Sequence, residues 1–202
     1  MRDIWMFREP RSGSTNVTKF LADVLAREFF FVDGKTIEEV ESRRSGLLSS
    51  KLLYNTHEFE RLSELSNYNN PFIFRCVRKN WVEQFLSAYA VSQIGTNFRN
   101  IERYSLTDID SFHAFTKRQI EVPKRSVLNF INIKRHQEEL WTTYSTSYDK
   151  HTLYYEDMSV PIDVPILNLY NITIENYTEK LPDYKRDVFT NYDQVADWFS
   201  QY

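Results

Sequence analysis

The stretch "FREPRSGSTNVTKFLADVL", residues 7–25, decides how the chain folds. It overlaps a short apolar and aromatic run, "DIWMF" at residues 3–7, and the string "REPRSG" then breaks that run, which reads as a buried strand ending in a turn. Beyond Thr15 the apolar residues Val17, Phe20, Leu21, Val24 and Leu25 recur at i, i+3, i+4, i+7 and i+8, one stripe of an amphipathic helix laid on a sheet. Strand, tight loop and helix in that order outline a phosphate-binding loop. The triphosphatase form of such a loop, GxxxxGK[ST], needs a second glycine, a lysine for the outer phosphates and a hydroxyl for magnesium. Here Gly13 stands alone and the cation, Arg11, precedes it. In Arg11-Ser12-Gly13-Ser14-Thr15 the N–H groups that open the helix, its dipole and the hydroxyls suit a single phosphate group. The plainer alternative for these five residues is a loop with an ordinary Ser/Thr helix cap.

Working outward, "KLLYNTH" (51–57) reads as a second buried strand, followed by a short helix at "FERLSEL". A third strand runs from Phe72 to Val77, and Asn80 with Glu83 makes a capping-box-like start for a helix over "WVEQFLSAYAVSQI" (81–94). The Phe29-Phe30-Phe31 run reads as a buried strand or a helix end, with an acceptor-pocket wall as the other possibility. "QIGTNFRNIERYS" (93–105) reads as a surface loop. Two more helices are expected over 107–120 and 126–144, then a strand at "HTLYY" (151–155), a turn at 156–165 and a last helix over 191–202. Alternation of strands and helices predicts an α/β fold, a central parallel sheet with helices on both faces. With 202 residues, 42% of them hydrophobic, the chain can bury one sizeable core, and a single domain over 1–202 is expected.

The net charge of −3 provides no global positive field, so neither nucleic acid nor an anionic membrane is expected as a partner, and any bound anion must be gripped locally. The one cysteine, Cys76, has no internal disulfide partner, which fits a reducing compartment. The opening "MRDIWMFREP" has too few apolar residues before charge and proline for a secretory signal, and no long apolar run follows; a cytoplasmic protein is expected. His113, His136 and His151 have no neighbouring Cys or His at ligand spacing, so no metal is assigned. The strand that would offer a magnesium-positioning aspartate ends instead in Arg75, Val77 and Arg78, cations that repel a metal and attract a second phosphate.

Four segments together carry a resemblance. "PRSGST" looks like the 5′-phosphosulfate loop of the sulfotransferase superfamily, whose cofactor is 3′-phosphoadenosine 5′-phosphosulfate (PAPS). "FRCVRKNWVEQFLSAY" is similar to that family's 3′-phosphate motif, with Arg78 and Ser87 in the places of its arginine and serine. "YNTHEFERL" resembles the Thr-His segment that supplies the general base, and "LYYEDMSVP" the Tyr-Glu-Asp-Leu stretch nearer the C-terminus; the four occur in family order. The resemblance implies a P-loop nucleotide-hydrolase-like fold and sulfuryl transfer from PAPS to a hydroxyl, less readily an amine, of a small-molecule, carbohydrate or peptidyl acceptor. It implies Arg11, Ser12, Gly13, Ser14, Thr15, Arg78 and Ser87 as cofactor contacts. Arg11 would also stabilise the leaving 5′-phosphate, and His57 would act as general base with Glu58 next in line.

The chain departs from that pattern in two places. Arg78 is followed by Lys79-Asn80 where the family has Asp or Asn and then Pro, which leaves Arg75 as a competing register for the 3′-phosphate. A C-terminal glycine-rich, lysine-bearing loop is missing, and Lys185 and Arg186 are candidate substitutes. Tyr155, Glu156 and Asp157 read as a structural turn. Two rival classes share these features: a P-loop small-molecule kinase, which would use ATP with magnesium, and a nucleotide-binding module without catalysis. Monomer and dimer are both compatible with the sequence.

Overall fold

The run "FIFRCV" has a large or β-branched apolar residue at almost every position, the pattern of a strand buried on both faces. In the computed structural model, which describes residues 4–9, 29–31, 39, 42, 47–51, 72–94, 115–143, 150–156 and 184–202, it forms a central strand of the sheet. Five strands, β1 (Ile4–Arg8), β2 (Phe29–Phe31), β3 (Leu47–Lys51), β4 (Phe72–Val77) and β5 (Lys150–Tyr154), lie in the order β2-β3-β1-β4-β5. Every neighbouring pair is parallel. Four helices are described: α1 (Trp81–Ile94), α2 (Lys124–Thr143), α3 (Lys185–Val188) and α4 (Tyr192–Ser200). The protein is therefore of mixed α/β class, built on a parallel sheet.

The chain divides into two compact units, Met1–Lys79 with His136–Glu179, and Asn80–Arg135 with Lys180–Tyr202. The first contains the sheet. Register aligns Phe7 with Arg75 and Met6 with Phe74, and residues on both faces of β4 are buried, Ile73, Arg75 and Val77 on one and Phe74 and Cys76 on the other. Trp141, from the last turn of α2, meets Phe7 edge to face at 5.9 Å between centroids and so covers the Phe7–Arg75 face. The second unit has an apolar core of Phe85, Leu86, Phe115, Val127, Ile131 and Val195, among others, in which Phe85 contacts both Phe130 and Phe199.

Two expected elements are placed as read and a third is offset by one residue: β4 occupies its expected run, β1 lies at Ile4–Arg8 where 3–7 is expected, and α1 covers 81–94 with Asn80 Oδ1 accepting the Glu83 N–H at 3.0 Å, one half of the capping box. The Glu83 carboxylate turns instead to Tyr192, whose hydroxyl donates to it at 3.0 Å, and to Lys185. Two expectations need correction. The second strand is Leu47–Lys51, meeting the expected run 51–57 only at Lys51, while 52–57 lie outside the described residues. Leu47 and Leu48 pair with Ile4 and Trp5. The helix expected through Ile120 has ended by Lys117, and Ile120 bridges to Phe189, donating to Val188 O at 2.8 Å and accepting from Thr190 N at 3.0 Å. Pro123 follows closely and disfavours helical backbone before it. The helix expected over 126–144 starts two residues earlier, at Lys124, and the final helix is α4.

Candidate functional site

Because the strands are parallel, Glu9, Arg78-Lys79 and Tyr155-Glu156 all leave the sheet at one edge, the carboxyl ends of β1, β4 and β5. β1 and β4 are neighbours at the centre, yet the chain leaves β1 toward β2 on one side and β4 toward β5 on the other. In open α/β sheets such a divergence marks the usual ligand position, outside the carboxyl ends of the strands.

Arg75 lies inside β4 with 1% of its side chain exposed, and a guanidinium at that depth requires acidic partners. It has two. Nε donates to Glu9 Oε1 at 3.2 Å and Nη2 donates to the same oxygen, while Nη1 and Nη2 donate to Glu138 Oε2 and Oε1 at 2.8 and 2.7 Å. Burial by itself depresses the Arg75 pKa, but the hydrogen bond and charge of Glu138 with those of Glu9 outweigh it, and the net displacement is upward. The guanidinium also lies 5.8 Å from the Trp141 ring centroid. Glu9, itself fully buried, directly precedes Pro10 and Arg11 in the sequence.

Arg78, at the first position beyond β4, stands differently. Among the described residues its ion-pair partner is Glu156, with Nε 3.6 Å from Oε1, and its guanidinium lies over the Tyr155 ring at 4.8 Å. The Lys79 backbone N–H donates to Glu156 Oε2 at 2.9 Å, and the Lys79 ammonium lies over the Tyr154 ring at 4.8 Å. The turn after β5, expected to be structural, thus ties down the turn after β4.

Ser87, in the second turn of α1, is buried in the second unit with Gln84 one turn before it. Lys185 and Arg186, the candidate substitutes for the missing C-terminal cations, are engaged within that unit: Lys185 pairs with Glu83, and Arg186 with Asp193 at 2.8 Å while stacking on Tyr192 at 4.2 Å. Arg11, Ser12, Gly13, Ser14, Thr15, His57 and Glu58 lie outside the described residues. No cluster of His, Cys, Asp or Glu able to hold a metal occurs among the described residues, and no described helix is long and apolar enough to cross a membrane.

Glu9, Glu138 and Glu156 were not singled out as partners by sequence reasoning. An arginine within an apolar strand does announce a buried carboxylate, but the chain has 28 Asp and Glu residues and nothing local selects two of them. No protein-family model matches the chain, and no curated protein matches it.

Proposed function

We propose that the protein is a PAPS-dependent sulfotransferase with a P-loop-like fold that transfers a sulfuryl group to a hydroxyl of its acceptor. The observation that carries this reading is the contrast between Arg75 and Arg78. Arg75 is engaged by two carboxylates, so a phosphate would have to displace both, whereas Arg78 stands at the carboxyl edge with its terminal nitrogens hydrogen-bonded to no described residue. That favours Arg78 over Arg75 as the 3′-phosphate ligand; Ser87 is proposed beside it on the resemblance alone. Residues 11–15, read from the sequence as a single-phosphate segment, come directly after β1, the strand next to β4, which agrees with a ligand at the carboxyl ends of these two strands.

When bound, PAPS supplies an electrophilic sulfuryl group on a phosphate leaving group. Arg11 and the N–H groups of Ser12 to Thr15 oppose the charge that grows on the 5′-phosphate. His57, or Glu58 beside it, takes the proton of the acceptor hydroxyl. Positioning and electrostatics do most of the work in such transfers, and these residues require no metal.

The test is a thermal melt with 3′-phosphoadenosine 5′-phosphate in the presence of a chelator, beside ATP with magnesium. The bisphosphate should give the larger shift; a larger shift with ATP and magnesium would favour the kinase reading. Transfer of labelled sulfate from PAPS to a panel of hydroxyl acceptors then separates an enzyme from a binding module.

A further inference from the structure

We propose that Glu156 is a positioning residue that holds Arg78 ready for an anionic group at the carboxyl edge of the sheet. The proposal rests on the reading of Arg78 as a 3′-phosphate ligand. One carboxylate does two jobs here: Oε2 accepts the Lys79 N–H at 2.9 Å, and Oε1 faces Arg78 Nε at 3.6 Å. The first contact fixes the backbone beside Arg78, and the second fixes the direction of its side chain. Tyr155 closes one face of the guanidinium at 4.8 Å. These residues arrive there by strand pairing, since Val77 is in register with Tyr154 and the next residues on each strand are Arg78 and Tyr155.

The geometry separates this pair from a closed structural ion pair. Glu138 grips Arg75 with both oxygens at 2.8 and 2.7 Å. Glu156 approaches Arg78 from the Nε side at a distance too long for a hydrogen bond. Nε is buried and makes no hydrogen bond among the described residues. With one face covered and the Nε side taken, the terminal nitrogens remain to receive a ligand, and five N–H donors in a fixed fork suit a phosphate. An arginine held in this way has already lost much of its rotamer freedom. A binding partner therefore avoids an ordering cost that would otherwise weaken the complex.

The experiment is calorimetric titration of the full chain and its Glu156→Ala and Glu156→Gln variants with 3′-phosphoadenosine 5′-phosphate and with adenosine 5′-phosphosulfate, which has no 3′-phosphate. Glu156→Ala should weaken the bisphosphate by roughly three- to tenfold, the worth of one immobilised long side chain, and leave the other nucleotide unchanged. Glu156→Gln, which keeps an acceptor for the Lys79 N–H, should recover most of that loss. Tighter bisphosphate binding in both variants would show that Glu156 is only a competing charge and would overturn the proposal. Unchanged bisphosphate binding in Glu156→Ala, or equal losses for the two nucleotides, would overturn it as well. If the unaltered protein binds no bisphosphate, the underlying sulfotransferase reading fails, and this proposal with it; if it binds bisphosphate but Glu156 has no effect, only the positioning role falls.

Discussion

Arg75 and Glu138 form a two-pronged ion pair, Nη1 to Oε2 at 2.8 Å and Nη2 to Oε1 at 2.7 Å, across a sequence separation of 63 residues. Glu9 completes the arrangement from just beyond the end of β1, so β4, the last turns of α2 and the residue that follows β1 meet at one guanidinium. The two carboxylates are unequal: Glu9 is fully buried, whereas 45% of the Glu138 side chain is exposed.

That inequality orders the cost of removing each group. Arg75→Met leaves the Glu9 carboxylate buried without its cation and should destabilise by about 3–5 kcal/mol. Glu138→Gln, on the solvent side, should cost on the order of 1 kcal/mol or less. The double substitution Arg75→Met with Glu9→Leu removes the buried charge altogether and should recover much of the Arg75→Met loss. Urea midpoints of the three variants check the order; a Glu138→Gln loss as large as that of Arg75→Met would mean that the outer pair dominates.

If Arg78 holds the 3′-phosphate, Arg78→Ala should weaken 3′-phosphoadenosine 5′-phosphate by about 1.5–3 kcal/mol, the range for hydrogen bonds to charged groups. Ser87→Ala should cost less, because a hydroxyl contributes no charge. Adenosine 5′-phosphosulfate, measured in parallel, should be little affected by either change. Equal losses for both nucleotides would put Arg78 outside the 3′-phosphate site.

On the proposed function, 3′-phosphoadenosine 5′-phosphate should stabilise the protein without magnesium. Binding to the native state alone at a hundredfold over the dissociation constant adds about 2.7 kcal/mol. The predicted signature is a melting point that climbs with ligand concentration and is indifferent to chelator.

His57→Ala should leave bisphosphate binding nearly intact and lower kcat with an active acceptor by about 10² to 10⁴. With imidazole as base, activity rises with pH through the histidine range and the variant lacks that limb. Glu58→Ala in the same assay decides between the neighbours: a large loss there with little at His57 moves the base by one residue.

Lys150 bears on stability at alkaline pH. Burial pushes its pKa below the ordinary lysine value, while its ammonium donates to Trp141 O at 2.8 Å and lies over the Trp141 ring at 4.8 Å. A lowered folded-state pKa means that the unfolded chain binds more protons between the folded and unfolded values. The penalty is full below the folded pKa and is relieved as pH rises through that window. Chemical denaturation from neutral pH to about pH 10.5 should show Lys150→Met gaining less stability than the unaltered protein.

Local signals were enough for part of this architecture. The apolar runs at β1 and β4 and the capping signal of Asn80 with Glu83 depend on neighbouring residues, so strand, turn and helix start are legible there without a partner in view. The resemblance that named Arg78 and Ser87 is likewise a matter of short spacing along the chain. What tertiary structure decided is how distant segments answer one another. The strand Leu47–Lys51, not marked as one in the sequence, is defined by its pairing with Ile4–Arg8 far away in the chain. Arg75 and Arg78 look interchangeable in "FRCVRK", but one projects from within a buried strand and the other stands beyond its end. Desolvation therefore obliges Arg75 to find carboxylates 66 and 63 residues away, while Arg78 keeps the lighter contact with Glu156.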